Sequence, residues 1–405
     1  MILLVFNTGS ASLKFDLIAI RPGQTSPHHG KKLLSGIVES IGGDAVLSQL
    51  EGKDVANQQP VKATDMAAAA AAGVEWMRGQ KPDEVAAIEI VAHRVVHGAD
   101  RFPGPAWVDQ NTINAIKELE NIAPLHNAAA IETIEAARKI FGPKMRMVVV
   151  FDTSFHQTLP EQAYTYALPQ ELMKRHRIRR YGFHGSSHDY MMRRYAEIQD
   201  KSATQISIVT LHLESGCSAC AIQNGRSVDT SMGFTPLEGL VMGMRSGDID
   251  PALVGFIARS EKISLDEVET ILNKKSGLLG LSGISHDTRK IMPRFASNDP
   301  APRHEAELAM RVFCYRITKY LGAYLAALGG AEAIIFGGGI GEDTPWVRAE
   351  VCSHFAWCGM ELDERANARL IKEEGRITTA DSKLAAWVIP TEESLMIAHQ
   401  AALLL

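Results

Sequence analysis

Asn7, Thr8, Gly9, Ser10, Ala11 and Ser12 are six small residues between two apolar stretches, and Lys14 follows. A tight turn of this composition exposes backbone N–H groups and hydroxyls in one concave loop. With a lysine beside it, such a loop suits a phosphate. It is not the P-loop pattern, which needs a Lys-Ser/Thr step opening a helix, and an ordinary Gly/Ser hairpin turn fits the loop alone equally well. Asp152 follows the apolar run 145–151. A carboxylate just past the carboxyl end of a buried strand can hold a metal, or can cap a turn. Arg94 and Arg245 stand in glycine-flanked, turn-like contexts, where a guanidinium fork can grip two oxygens of a phosphoryl group or carboxylate. Each alone is more often a solvated arginine. His126 and His184 follow Leu125 and Phe183, a setting that also suits ordinary core histidines. His184 and His188 have the spacing of a zinc pair, but the HExxH glutamate is missing.

The elements that must carry these residues are legible around them. Residues 2–6 and 13–20 are strand-forming runs on either side of the first turn. Residues 64–78 form an alanine-rich helix, since alanine loses no side-chain entropy there, with Thr64 or Asp65 as its cap. Residues 89–96 read as a strand ending near Arg94, and 145–151 as a strand buried on both faces. Residues 206–213 form a strand that turns at Glu214-Ser215-Gly216 and returns over 217–223. Asn224-Gly225 is a type I′ turn signal, and 226–229 is a third strand. Strand, small-residue loop and strand thus occur twice, which predicts an internal duplication. Residues 305–328 form a long helix stopped by Gly329-Gly330. A strand over 333–336 leads into a glycine loop over 337–341, with Thr344-Pro345 opening the next helix. That succession lets a nucleotide approach the backbone closely. A last strand, 385–390, delivers Thr391-Glu392-Glu393 to a final helix.

The 405 residues suffice for two domains, and 46% apolar with 22% charged residues is ordinary for a globular protein. A net charge of −5 argues against a nucleic-acid surface. No apolar run approaches the roughly 18 residues of a membrane span. The N-terminus has no basic region before its apolar run and reads as no secretory signal. Five cysteines are scattered apart from Cys217-x-x-Cys220, which lies in an alternating strand pattern. With no second pair to complete a zinc site, these read as plain strand thiols in a reducing cytoplasm.

Asn7-x-Gly9-Ser10-x-Ser12-x-Lys14 resembles the N-terminal signature of the acetate kinase family. The resemblance continues in order through Arg94-Val95-Val96-His97-Gly98, Pro124-Leu125-His126-Asn127, Phe151-Asp152-Thr153-Ser154 and Gly182-Phe183-His184-Gly185. It runs on through Asp229-Thr230-Ser231-Met232-Gly233, Thr235-Pro236-Leu237-Glu238-Gly239, Arg245-Ser246-Gly247-Asp248, Gly339-Ile340-Gly341-Glu342 and Pro390-Thr391-Glu392-Glu393.

The resemblance implies an α/β fold of two actin-like (ribonuclease H-like) domains, with mixed sheets flanked by helices and the active site in the cleft between them. Residues 1–151 with 386–405 are the expected first domain, and 152–385 the second. The implied reaction is reversible, direct in-line phosphoryl transfer between ATP and acetate, with Mg2+ or Mn2+ as the metal, in a cytoplasmic homodimer.

By the same resemblance, Arg94, Arg245, His126, His184 and Asp152 do the chemistry, and Asn7, Asp152 and Glu393 organise the metal. Val96, Leu125, Phe183 and Pro236 line the pocket for the acid's methyl group. Asn7, Ser10, Ser12 and Lys14 form the first phosphate motif. His212, Glu214, Ser215 and Gly216 form the second. Asp287, Thr288, Arg289, Gly337, Gly338, Gly339, Ile340 and Gly341 match the nucleotide segments. The chain departs from the pattern in three places, at four residues. Glu214-Ser215-Gly216 replaces the usual Gly-Asn-Gly, Asp343 stands where asparagine is common, and Ala11 replaces a serine. The first departure sets a weakened nucleotide-binding paralogue beside the kinase, and a kinase for propionate or another short acid is the nearer alternative.

Overall fold

The computed structural model describes residues 1–405 except Ser10, Pro22, Gln24, Thr25, Lys53, Asn121, Ala123, Asn298 and the side chains of Pro124, Leu125 and His126. The chain divides into two compact units, Met1–Gln157 with Glu392–Leu405, and Thr158–Thr391.

The first unit carries β1 (Ile2–Thr8), β2 (Leu13–Ala19), β3 (Lys31–Glu39), β4 (Val46–Glu51), β5 (Asp54–Pro60), β6 (Ile88–Val95), β7 (Ala106–Trp107) and β8 (Arg146–Phe151). They form one sheet in the order β5-β4-β3-β2-β1-β6-β8-β7. β1 to β5 pair antiparallel in succession, while β1, β6 and β8 run parallel. Leu3, Leu4, Val5 and Phe6 of β1 are fully buried, as their continuous apolar run requires of a strand covered on both faces. One face carries the alanine-rich helix Met66–Gln80 and the helix Pro124–Phe141. The other receives the C-terminal helix Glu393–Ala402 against β1, β6 and β8. Asp65 caps the alanine-rich helix by accepting from Ala68 N at 2.7 Å.

The second unit carries β9 (Ser207–Leu213), β10 (Cys217–Gln223), β11 (Arg226–Thr230), β12 (Ala333–Gly337), β13 (Gly375–Arg376) and β14 (Ala385–Val388), in the order β11-β10-β9-β12-β14-β13. β3-β2-β1-β6-β8 and β11-β10-β9-β12-β14 share one arrangement. In each, the first three strands in chain order pair antiparallel and the fourth and fifth add in parallel. Each sheet then ends in a short antiparallel edge strand, β7 or β13. The duplication expected from the two hairpins is therefore present down to the edge.

Three expectations are corrected. β14 pairs in parallel with β12, so the second unit runs to Thr391 rather than to residue 385, and the first unit extends to Gln157 rather than to residue 151, which places Asp152 in it. Residues 337–341 are not an open loop: Gly337 caps a short helix, Gly338–Asp343. Arg94 lies within β6 rather than in a turn. The long helix runs from Pro300 to Leu328 because Asp299 caps it and proline is tolerated in a first turn. Cys217 and Cys220 are buried in β10 and not joined in a disulfide, and burial pushes the Cys217 thiol up to about 12. No helix among the described residues is long and apolar enough to cross a membrane.

Candidate active site

In the first unit, the carboxyl ends of the parallel strands β1, β6 and β8 bring Asn7, Arg94 and Asp152 together. Arg94 donates through Nε to Asp152 Oδ1 at 2.7 Å and through Nη2 to Oδ2 at 2.6 Å. Its Nη1 donates to Asn7 Oδ1 at 2.8 Å, and Asn7 Nδ2 donates to Glu393 Oε2 at 2.9 Å. Asp152 is 1% exposed, so the bidentate guanidinium also offsets the cost of burying its charge.

Glu393 opens the C-terminal helix, and its neighbours fix it. Ser394 Oγ donates to the fully buried Asp16, which also accepts from Ser35 Oγ, and Lys32 pairs with Glu392. Burial pulls the Lys32 ammonium down, but Asp16, Glu392 and Glu393 outweigh it and hold the pKa above its ordinary value.

Val96 is buried just past β6. Behind it, Asn127 accepts from His97 N at 3.2 Å and donates to His97 O at 3.0 Å, and Thr153 Oγ1 accepts from Gly98 N. The first loop closes through Gly9 N to Ser12 O at 2.8 Å, with Lys14 paired to Asn7 across the hairpin. Ser10 and the side chains of Leu125 and His126 lie outside the described residues.

Asp152, Glu393 and Asn7 offer oxygen donors only. Among the described residues no three His, Cys, Asp or Glu side chains cluster as metal ligands. Mg2+ needs no such cluster, because it takes one or two carboxylates and fills its shell with water and phosphate oxygens. The donor set fits that ion.

In the second unit, His184 stands at the N-cap of the helix Gly185–Ile198 with φ 57°, and its ring lies 4.2 Å from that of His212. A Cβ at position 216 would sit 3.3 Å from His184 Nε2 and 3.4 Å from Arg245 Nη1. Gly216 therefore keeps clear a space on which an imidazole and a guanidinium converge. Arg245 Nη1 donates to Pro236 O at 2.9 Å, and Phe183 beside His184 is buried.

The glycine helix lies against the end of β9. Gly338 has φ +74°, and a Cβ there would meet Leu213 O at 2.6 Å, so only glycine fits. Gly339, Ile340 and Gly341 follow in the same short helix, whose Gly341 and Glu342 carbonyls accept from the fully buried Arg348. Glu342 accepts from Thr391 N at 3.0 Å. Gly243 N donates to Ser215 O at 3.1 Å, and its Cα lies beside His286. Asp287 then caps the turn Thr288–Ile291 and pairs with Arg289, whose hydrogen bond holds the Asp287 carboxyl below its usual range. Glu214 is 60% exposed, 3.7 Å from His212 Nε2. The structure thus gathers 184, 212–216, 245 and 337–341 in one region of this unit, with 287–289 adjoining through Gly243.

Residues to which the sequence assigned no supporting role hold this region. Arg180 donates to the carbonyls of Thr230, Ser231 and Met232 and to Glu238, which also accepts from the Tyr166 hydroxyl. Asp248 accepts from Gly239 N and from Tyr320. Glu238 and Asp248 lie inside quoted motifs, whereas Arg180 carries no local signal. Ser218, His188 and Thr210 form a further hydrogen-bonded chain behind His184.

A family model, the acetokinase family, matches residues 2–399. Acetate kinase of Chloroherpeton thalassium is 43% identical over 412 residues, covering 98% of both chains. That of Solibacter usitatus is 44% identical over 404 residues, covering 98% of this chain and 97% of the other. Among solved structures, Porphyromonas gingivalis acetate kinase matches with TM-score 0.87 at 36% identity, and a propionate kinase from Francisella tularensis with TM-score 0.88 at 35%. Each covers 98% of both chains.

Proposed function

This chain belongs to the acetokinase family, and on that premise we propose that it transfers the γ-phosphoryl group of ATP reversibly to acetate, giving acetyl phosphate and ADP. The observation that carries the reading is the pair of arginine settings. Arg94 is aligned by a buried carboxylate, and Arg245 faces His184 Nε2 across the space that Gly216 keeps clear.

Phosphoryl transfer asks a protein for positioning and for positive charge around the equatorial oxygens, not for covalent chemistry. Arg94 and Arg245 supply the charge, and His184 and His126 donate to the transferring group. Asn7, Ser10, Ser12 and Lys14 hold phosphate in the first unit. His212, Glu214, Ser215, Gly216, Asp287, Thr288, Arg289 and the 337–341 segment take the nucleotide in the second. Val96, Leu125, Phe183 and Pro236 are, by the family likeness, the candidate contacts of the methyl group. Asp152 and Glu393, with Asn7, would hold Mg2+ or Mn2+, which when bound neutralises charge on the nucleotide phosphates. The chain works as a cytoplasmic homodimer, with the second unit supplying the dimer contact. Five cysteines without a disulfide, four of them buried, suit that reducing compartment.

The reverse reaction tests the proposal. With ADP, Mg2+ and acetyl phosphate, the purified chain should form ATP, read by luminescence, and no ATP above a protein-free control would overturn it. The similarity to a propionate kinase favours a second reading, in which propionate is the preferred acid. Coupled ADP release across formate, acetate, propionate and butyrate distinguishes the two.

A further inference from the structure

Resting on the reading of His184 as a donor to the phosphoryl group, we propose that Thr210, His188 and Ser218 are positioning residues that hold the His184 ring in its neutral Nε2–H tautomer. Thr210 Oγ1 lies 2.7 Å from His188 Nδ1, His188 Nε2 lies 2.8 Å from Ser218 Oγ, and Ser218 Oγ lies 2.9 Å from His184 Nδ1. Thr210, His188 and Ser218 are all fully buried. They come from β9, the helix Gly185–Ile198 and β10, so three separate elements converge to build the chain.

The direction of the chain follows from counting protons. A hydroxyl donates one, and a neutral imidazole carries one on either nitrogen. Among the described residues, His188 is the single partner of the Thr210 hydroxyl, and the two imidazoles are the only partners of Ser218. In one direction His184 Nδ1–H donates to Ser218, Ser218 to His188 Nε2, and His188 Nδ1–H to Thr210. The proton of the fully buried Thr210 hydroxyl then has no acceptor among the described residues, which disfavours this arrangement by roughly tenfold or more. In the other direction Thr210 donates to His188 Nδ1, His188 Nε2–H to Ser218, and Ser218 to His184 Nδ1. Every proton is used, and that of His184 must sit on Nε2.

Nε2 is the atom that shares the space beside Gly216 with Arg245. A phosphoryl oxygen there needs a donor. The chain supplies one on a neutral ring, without a second positive charge against the guanidinium. An Nδ1–H ring would present a lone pair to the same oxygen and repel it.

Long-range 1H–15N spectra of the ligand-free, 15N-labelled full chain read the tautomer directly, with the signal assigned by loss in His184→Gln. The parent protein should show Nε2–H at His184. Thr210→Val removes a hydroxyl at nearly equal size, two hydrogen-bonded residues away from His184. It should give a mixture of tautomers, with kcat lowered about tenfold and KM for ATP changed less than twofold. Ser218→Ala should lower kcat by on the order of 10², as for loss of an oriented donor, and Ser218→Thr should restore the tautomer. An Nδ1–H or doubly protonated His184 in the parent protein, or an unchanged tautomer in both Thr210→Val and Ser218→Ala, would overturn the proposal. The spectra need no turnover. An Nε2–H ring in a protein that makes no acyl phosphate would therefore leave the chain standing and remove the phosphoryl reading instead.

Discussion

Two buried histidines, one in each unit, solve the same problem in opposite ways. His188 in the second unit is fully buried with both ring nitrogens bonded, to Thr210 and Ser218. His93 in the first unit is as deeply buried, stacked on Phe6, and among the described residues neither of its nitrogens has a partner. The contrast extends to their surroundings. The first unit fixes its candidate site with charges, through Arg94 on Asp152 and through Asp16, Lys32 and Glu392 around Glu393. Behind His184, the second unit uses hydroxyls and imidazoles. The neutral chain behind His184 is thus local: the same unit holds neighbouring segments with the Arg180–Glu238 and Arg289–Asp287 ion pairs, whereas the first unit orients Asn7, Arg94 and Asp152 directly through charge.

The arginines test this division with the largest expected effect. Arg94→Ala and Arg245→Ala should each lower kcat by on the order of 10³, as for arginines that stabilise charge in phosphoryl transfer. Steady-state kinetics decides it, and a variant keeping a third of the parent kcat would take its half out of the chemistry.

The histidines come next. Burial holds His93 down at about 3, against an ordinary value of 6.5. The unfolded chain therefore takes up a proton as pH falls through about 6.5, while the folded chain takes one up only near 3. Within that window this one group should make folding less stable by about 1.4 kcal/mol per pH unit as pH falls. His93→Leu should flatten that dependence in urea titrations run between pH 6 and pH 4. An unchanged slope would mean that His93 is solvated or paired in solution.

Val96→Ala sharpens the account of the first unit alone. It should shift kcat/KM toward propionate relative to acetate by about 1 kcal/mol, roughly fivefold, and an unchanged ratio would put the pocket wall elsewhere. The smallest effect belongs to the second turn. A carboxylate about 5 Å from a phosphate charge is repelled by roughly 3 kcal/mol at an effective dielectric of about 20. Glu214 is 60% exposed, however, and solvent screens most of that. Glu214→Gly with Ser215→Asn should raise kcat/KM for ATP about threefold and leave KM for acetate alone. A loss of activity would mean that Glu214 has a positive role.

The parts of this molecule that were legible in the sequence are those with local causes. Apolar runs around small-residue turns marked both hairpins, and their repetition predicted an internal duplication, which the strand order of the two sheets matches. Asn224-Gly225 took the two positive φ values that a type I′ turn needs, 51° and 75°. What was not legible depends on distant partners. The short apolar run of β14 does not say which sheet it joins; pairing with β12 decides that. The 337–341 glycines read as a loop because glycine carries little helical signal, yet their backbone coils against Leu213. Arg180 and Arg348 look like surface charges in the sequence and are instead enclosed by backbone carbonyls. The Thr210–His188–Ser218 chain draws on three elements, so no spacing rule could have found it.

The most direct test of the central claim is hydroxylamine trapping with ATP, Mg2+ and a series of acids. Acyl hydroxamate should form in step with ADP, most rapidly from acetate, and chelating the metal should abolish it. ADP released without hydroxamate from any acid would mean that water, not a carboxylate, takes the phosphoryl group, and would contradict that claim.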